Sequence, residues 1–119
     1  MNAAILTNEF PPEIYGGAGI HVKFLTQELA KLCHIEARCF GVQNVDENNI
    51  HALGFSRKLG LNPEDDRFQK IFKPLDIDLQ WAASLKDIDV IHCHTWYSHF
   101  GGVLASRLLQ CPLILTTDS

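Results

Sequence analysis

Basic residues do not cluster anywhere in this sequence. Ten Lys and Arg stand against 14 Asp and Glu, which leaves a formal net charge of -4 over 119 residues. Nucleic acids and anionic membranes bind proteins through basic faces, so we expect neither as a partner. A long hydrophobic run is also missing. The short apolar stretch at residues 3–6 has no basic flank and predicts neither a signal peptide nor a membrane span, so we expect a cytoplasmic protein.

Paired cysteines are missing as well. The four cysteines show no C-x-x-C spacing, and most lie within apolar stretches. This pattern is typical of small buried hydrophobic side chains rather than disulfides, and it suits a reducing compartment. The residues concerned are Cys33, Cys39, Cys93 and Cys111.

Short and long apolar segments alternate along the chain and indicate an α/β fold. Hydrophobic residues make up 46% and charged residues 20%, as in ordinary single globular domains. The pattern predicts strands at 3–7, 35–40, 89–94 and 113–117, a weaker strand at 50–55, and helices at about 20–34, 75–85 and 98–109. Residues 43–73 otherwise predict irregular surface. The expected fold class is a Rossmann-like, doubly wound, mainly parallel sheet with helices on both faces.

The first predicted helix carries its apolar residues at three- and four-residue steps. These are Ile20, Phe24, Leu25, Leu29 and Leu32. Residues at this spacing lie along one face of a helix, so we expect that face to pack on the sheet.

Two segments fall where a doubly wound sheet binds ligands, beyond the carboxyl ends of its strands. They are residues 8–19 and residues 94–102. In the first, Gly16, Gly17 and Gly19 open a helix whose free N–H groups attract phosphate. A tight turn that needs glycine only for its shape would leave the same sequence, and both interpretations stay open. A dinucleotide fingerprint does not fit, because Val22 takes the place of its third glycine.

The second segment follows a strand with a dense group of histidines. Alternation in the strand places His92 and His94 on one face. A zinc site needs three or four convergent ligands, and no carboxylate lies nearby in the sequence, so we expect no metal. We interpret His92 as a hydrogen-bonded core residue and Trp96 as a packing aromatic. His94, at the strand end, is the candidate catalytic residue, since an imidazole in the cleft can donate to a sugar hydroxyl.

Two carboxylates complete the candidates at this edge of the sheet. Glu9 lies just past the first strand and could orient a sugar hydroxyl or act on an acceptor, or it could be a solvated loop residue. Asp118 closes the last strand, as a ligand contact or as a simple strand cap.

Three motifs in order give the chain a family resemblance. Residues 4–19, AILTNEFPPEIYGGAG, resemble the start of glycogen and starch synthases. Residues 92–97, HCHTWY, look like the second N-terminal signature of those enzymes, and residues 115–117, LTT, resemble the strand that follows. The match is closest to the bacterial glycogen synthases of glycosyltransferase family 4, which are similar to the family 5 enzymes. That family's strand usually ends Thr-Thr-His-Ser, whereas this sequence has Asp118 in place of the histidine.

The resemblance implies a GT-B enzyme that moves glucose, with retention, from ADP-glucose or another nucleotide diphosphate-glucose to a glucan or sugar-phosphate acceptor. Residues 1–119 would form the N-terminal, acceptor-side Rossmann-like domain, with the nucleotide-sugar domain absent and no cofactor required. By the same likeness, Gly16 and Gly17 would contact the donor diphosphate, and His94 the transferred sugar. Candidate sugar or acceptor contacts are Glu9, Tyr15, Thr95, Tyr97 and Asp118. A non-catalytic Rossmann-like binding domain is the alternative.

Overall fold

A computed structural model of the chain describes residues 1–117, which form a six-stranded sheet and three α-helices. The strands are β1 (Asn2–Leu6), β2 (His34–Phe40), β3 (Asn44–Glu47), β4 (Ile50–Phe55), β5 (Val90–His94) and β6 (Leu113–Thr116). The helices are α1 (Gly17–Leu29), α2 (Gln69–Ser84) and α3 (His99–Leu109), and short 3-10 turns precede α2 at Asp66–Phe68 and α3 at Trp96–Ser98.

The sheet has the strand order β3-β4-β2-β1-β5-β6. All neighbouring pairs are parallel except β3 with β4, which is antiparallel. The chain steps to one side of β1 to form β2 and to the other side to form β5, so the order reverses between β1 and β5. The expected Rossmann-like, mainly parallel α/β fold is confirmed, and the reversal creates the crevice in which such sheets bind ligands.

Each face of the sheet is covered by its own apolar cluster. Alternating side chains of β1 divide between the two faces, with Ala3 and Ile5 under α1 and Ala4 and Leu6 under α2 and α3. The α1 side also buries Phe10, Val22, Ile35, Ala37, Cys39 and Ala52. The other side buries Ile77, Trp81, Ala82, Leu85, Ile88, Ile91, Cys93 and Ala105. A central strand buried on both faces explains why the sequence at β1 is continuously apolar.

The buried face of α1 differs in part from the predicted one, although Leu29 packs against the cluster on this side of the sheet as expected. The helix buries Gly19, Val22 and Thr26, whereas Phe24 is 57% exposed and Ile20 and Leu32 are exposed as well. Close approach of the helix to the preceding loop at Gly19 sets this rotation, and small side chains therefore face the sheet. The helix also ends at Leu29 rather than near residue 34, because His34 already pairs with Asn2 in the sheet.

The stretch predicted as surface holds more structure than expected. It contains the edge strand β3 as well as the predicted strand β4, and α2 begins at Gln69 instead of after Pro74. Pro74 lies buried inside the helix. Interpreting the proline as a helix start was wrong, because burial of this segment outweighs the local preference against proline in a helix interior.

The cysteines are free thiols, as the sequence indicates. Cys39 and Cys93 are buried, and burial raises the pKa of each thiol to about 12. Both therefore pack as small apolar side chains, while Cys33 and Cys111 are half-buried.

One carboxyl group lies in the interface between α2 and α3. Asp78 is 2% exposed, and its Cβ would lie 3.0 Å from a Cβ added at Gly101. Burial raises the pKa of the Asp78 carboxyl from 3.8 to about 8, although a hydrogen bond from the Gly101 backbone N–H opposes that rise. The group is therefore protonated over most of the neutral range.

This burial makes the stability of the chain depend on pH. Between 3.8 and about 8 the folded chain binds the Asp78 proton and the unfolded chain does not. The resulting stabilisation is present in full below the unfolded pKa and is lost as pH rises through the folded pKa. From about pH 5 to about pH 8 we expect the unfolding free energy to fall by about 3–4 kcal/mol more in the wild type than in Asp78→Asn, which stays neutral. Urea unfolding at both pH values measures this, and equal slopes would contradict it.

Candidate functional site

The loop between β1 and α1 is held by the carboxylate of Glu9. Its Oε1 accepts a hydrogen bond of 2.9 Å from the Tyr15 backbone N–H, and its Oε2 accepts one of 3.2 Å from the Gly19 N–H. The second bond ties the carboxylate to the first turn of α1, where the helix dipole favours negative charge. Glu9 therefore fixes the path of the loop that carries Gly16 and Gly17.

The glycines of this loop differ in their surroundings. A Cβ at Gly19 would lie 2.7 Å from Glu9 Oε2 and 2.9 Å from Ile14 Cγ2, so the close approach of Glu9 requires glycine there. A Cβ at Gly17 would meet no atom within 4 Å in the described chain. Gly16 precedes the helix in an extended conformation and is exposed. A Cβ at Gly16 would lie 4.0 Å from Glu9 Oε2, so the space around the loop is open at Gly17 and bordered by the carboxylate at Gly16.

His94 ends β5 next to this loop but is covered by its neighbours. Its ring is 1% exposed, with centroids 4.0 Å from the His92 ring and 5.8 Å from the His21 ring of α1. The two strand histidines share a face, as predicted. We expected His92 in the core and His94 in the cleft. Instead His94 is buried and His92 is half-buried, because α1 covers the end of β5.

His92 makes its hydrogen bond to the neighbouring strand. Its Nε2 lies 2.7 Å from Thr116 Oγ1 on β6, which agrees with the predicted hydrogen-bonded role. Burial, and to a lesser extent the charge of His21, lowers the pKa of His92, so the ring is neutral at pH 7. Three imidazoles therefore line the α1 side of the sheet edge, from His21 at the surface to His94 inside.

Thr95 turns the chain sharply after β5. Its φ is 69°, a positive value that is rare for a β-branched residue. Its Oγ1 donates a 3.1 Å hydrogen bond to Asn8 Oδ1 in the β1–α1 loop. Ser98 Oγ donates to the carbonyl oxygens of His94 and Thr95, both at 2.9 Å. The strained turn is thereby fixed against both the glycine loop and the start of α3, as is common at functional sites.

On the α2 side of the same edge lies a pocket of about 560 Å³ that we call the cationic pocket. It is lined by Asn8, Phe40, Arg57, Gln69, Lys70, Lys73, Pro74, Trp96 and Tyr97. Tyr97 stacks on Trp96 at 4.2 Å, and Lys73 Nζ lies 5.5 Å from the Phe40 ring centroid. Trp96 is half-exposed in this pocket, and its ring packs on Tyr97.

Sequence reasoning missed the three cations of this pocket. Arg57, Lys70 and Lys73 fall in the stretch predicted to be irregular surface. Arg57 is fixed by a 2.7 Å hydrogen bond to Gln69 Oε1 and by one to the Leu61 carbonyl oxygen. The spacing of Lys70 and Lys73 is the sequence feature that could have identified the pocket. The two lysines share a helix face only if α2 begins before Pro74.

The remaining candidates occupy different parts of the edge. Tyr15 is exposed at the loop, whereas Thr95 and Tyr97 lie in the turn after β5. Asp118 lies outside the described residues. Within residues 1–117, no group of three or more His, Cys, Asp or Glu side chains is arranged to hold a metal ion. No helix in that part of the chain is long and apolar enough to cross a membrane.

These features define an α/β domain with a glycine loop and a histidine strand on the two sides of its switch point. The sequence profile of Glycosyltransferase Family 4 matches residues 15–117. The chain therefore belongs to this glycosyltransferase family, as the resemblance of its motifs indicates.

Three relatives align with the whole chain. It is 34% identical to the alpha-maltose-1-phosphate synthase of Mycolicibacterium smegmatis and 35% identical to that of Mycobacterium tuberculosis, covering 28% of each. It is 26% identical to an uncharacterized glycosyltransferase of Methanocaldococcus jannaschii, of which it covers 31%. The chain thus spans less than a third of the length of these relatives.

The glycine loop offers a paired test of its geometry. We expect Gly17→Ala to leave the melting temperature unchanged or slightly raised, because the added Cβ is free of contacts and alanine favours a helix by up to about 1 kcal/mol. We expect Gly19→Ala to cost about 1–3 kcal/mol, because its Cβ would overlap Glu9 and Ile14. Thermal melts of both variants decide this. A stable Gly19→Ala chain would show that Glu9 does not hold the loop as described.

Proposed function

We propose that this chain is the N-terminal, acceptor-side part of a retaining glucosyltransferase that transfers glucose from a nucleotide diphosphate-glucose to a sugar phosphate. The observation that carries the proposal is the cationic pocket, which lies at the same sheet edge as the glycine loop. Asn8 connects the two. It lines the cationic pocket, it belongs to the loop after β1, and its Oδ1 accepts a hydrogen bond from Thr95, the residue after His94.

A sugar phosphate needs two kinds of contact, and the pocket supplies both. Lys70 and Lys73 offer ammonium groups, and Arg57 a planar guanidinium, to a phosphate. Tyr97 and Trp96 offer stacked aromatic rings to the apolar face of a sugar. A neutral glucan has no charge for three cations to balance, so the pocket favours the sugar phosphate over the glucan. The names of the mycobacterial relatives support the same choice.

The donor would approach from the α1 side of the edge. In this proposal the N–H groups at Gly16 and Gly17 contact its diphosphate, while Glu9 is a positioning residue for that loop. His94 donates to a hydroxyl of the transferred glucose, and since the residue is 1% exposed, that contact requires movement of the side chains that cover it. Tyr15 and Thr95 are further candidate contacts with the sugars.

The reaction exchanges one glycosidic bond for another. The bond from the anomeric carbon to the diphosphate breaks, a bond to the acceptor hydroxyl oxygen forms, and the hydroxyl proton leaves with the diphosphate. Positive charge develops on the sugar and negative charge on the leaving group, so both need stabilisation. We assign the nucleotide pocket and the groups that neutralise the leaving diphosphate to a second, C-terminal domain. ADP-glucose is the first donor to test, and no cofactor is required.

A non-catalytic sugar-phosphate binding domain is the second candidate. It would use the same pocket and loop without a donor. The two are distinguished by nucleotide release, which requires the donor half of the site.

Lys73 gives the sharpest test of the acceptor assignment. In a glycosyltransferase that carries this chain at its N-terminus, we expect Lys73→Gln to raise the KM for glucose 1-phosphate about tenfold or more, because a charge-assisted hydrogen bond is worth about 1.5–3 kcal/mol. The KM for the nucleotide donor should stay within about twofold, since the lysine lies on the α2 side of the edge.

The matched control is Lys86→Gln, which removes the same charge from an exposed position just beyond α2. It should leave both KM values unchanged. An acceptor KM that Lys73→Gln does not alter would sink the sugar-phosphate assignment, whereas saturable glucose 1-phosphate binding without nucleotide release would favour the binding-domain alternative.

A further inference from the structure

A buried glutamine connects the β3–β4 side of the sheet to the glycine loop, which joins β1 to α1. Gln43 is 6% exposed, and its Nε2 donates a 2.8 Å hydrogen bond to the carbonyl oxygen of Phe10. That oxygen also accepts a 3.0 Å bond from the Glu13 backbone N–H. A carbonyl oxygen can only accept, so the nitrogen of the Gln43 amide is the atom that faces the loop. The loop is therefore anchored on the connection between β2 and β3 as well as on α1.

Two glycines shape the backbone around Gln43. The connection between β2 and β3 crosses the carboxyl end of β4, where the Gly41 N–H donates to the Phe55 carbonyl oxygen at 3.1 Å. The Gly54 N–H donates to the Gln43 carbonyl oxygen at 2.7 Å. A Cβ at Gly54 would overlap Gln43 Oε1, and one at Gly41, whose φ is 127°, would overlap the same atom. Glycine inside a strand often marks such a close approach, and here it leaves the space that the Gln43 amide needs to reach the loop.

Packing alone does not explain a glutamine at this position. Gln43 Oε1 has no hydrogen-bond partner in the part of the chain that the structure describes. Burial of an unpaired amide oxygen destabilises a fold, and a methionine, which has nearly the same length, would fill the space without that cost. What a methionine would lose is the hydrogen bond to the Phe10 carbonyl oxygen. The amide therefore contributes to the position of the loop more than to the stability of the core.

The Phe10 carbonyl lies beside the residue that holds the start of α1. Glu9 directly precedes Phe10 in the chain. Its carboxylate accepts from the backbone N–H groups of Tyr15 and Gly19. If the Phe10 carbonyl loses its amide partner, the Glu9 backbone next to it can move, and the carboxylate moves with it. Gln43 therefore acts on the glycine loop through Glu9.

We propose that Gln43 is a positioning residue that orders the glycine loop before the donor binds. The inference rests on the proposed contact of Gly16 and Gly17 with the donor diphosphate. A loop that is already ordered binds its ligand more tightly than a mobile one, because no conformational entropy is lost at the binding step.

The first measurement is amide hydrogen exchange by NMR on the 119-residue chain. In Gln43→Met we expect the Tyr15 and Gly19 amides to exchange about three- to tenfold faster than in the wild type, because losing a hydrogen bond makes local opening easier. Amides of α3, which packs on the other face of the sheet, should stay within about twofold. Gln27→Met is the matched control, since it makes the same change at an exposed position of α1 and should alter neither set.

The second measurement uses a glycosyltransferase that carries this chain at its N-terminus. We expect Gln43→Met to raise the KM for ADP-glucose about three- to tenfold with kcat within about twofold, since a mobile loop weakens donor binding in the ground state and the transition state alike. The KM for glucose 1-phosphate should stay within about twofold. The melting temperature should not fall, because the unpaired Oε1 is removed as well.

Each outcome separates the two hypotheses. Unchanged exchange at Tyr15 and Gly19 overturns the positioning role of Gln43, and so does a lower melting temperature with equal rises of both KM values. Faster exchange with an unaltered donor KM overturns instead the donor contact of the loop, on which the inference rests. If circular dichroism shows that Gln43→Met does not fold, Gln43→Leu removes the same hydrogen-bond donor from a shorter side chain, and the same outcomes apply.

Discussion

Parallel pairing of β1 with β5 is the constraint on which the rest of this structure depends. After β1 the chain continues to β2 on one side of the pair, and after β5 it continues to β6 on the other side. The loops that follow β1 and β5 therefore lie next to each other at the carboxyl edge of the sheet. This arrangement brings together the glycine loop, His94 and the strained turn at Thr95. Glu9 then fixes the first loop to α1, and Asn8 joins it to the second. Ligand contacts from both faces of the sheet can therefore reach one crevice.

The sequence specifies the parts of the fold in which local pattern and packing agree. The continuous apolar run of β1 is buried on both faces, so the apolar pattern alone is enough to assign this strand. The rotation of α1 could not be predicted in that way, because it is set by the contact of Gly19 with Glu9, ten residues earlier. In α2, Pro74 suggests a helix start, and only tertiary packing reveals that the helix begins at Gln69. Long-range contacts override local preference at both positions.

The residues of the candidate site also fall into two groups: those that the sequence pattern identifies and those that only the folded structure reveals. Gly17 follows β1 at the start of α1 and His94 ends β5, and these positions in the sequence pattern identified both residues as candidates. Lys70 and Lys73 became candidates only when α2 placed them on one face beside the aromatic rings of Trp96 and Tyr97. Membership of Glycosyltransferase Family 4 rests on the profile match, while the sugar-phosphate acceptor rests on these cations. The family assignment and the acceptor proposal therefore depend on different kinds of observation.

The most direct measurement is a crystal structure of a glycosyltransferase carrying this chain, with a nucleotide diphosphate-glucose and glucose 1-phosphate both bound. The account places a donor phosphate oxygen within hydrogen-bond distance of the Gly17 N–H, and the acceptor phosphate within ion-pair distance of Lys73. A donor diphosphate remote from the glycine loop, or a sugar phosphate bound outside the cationic pocket, would contradict it.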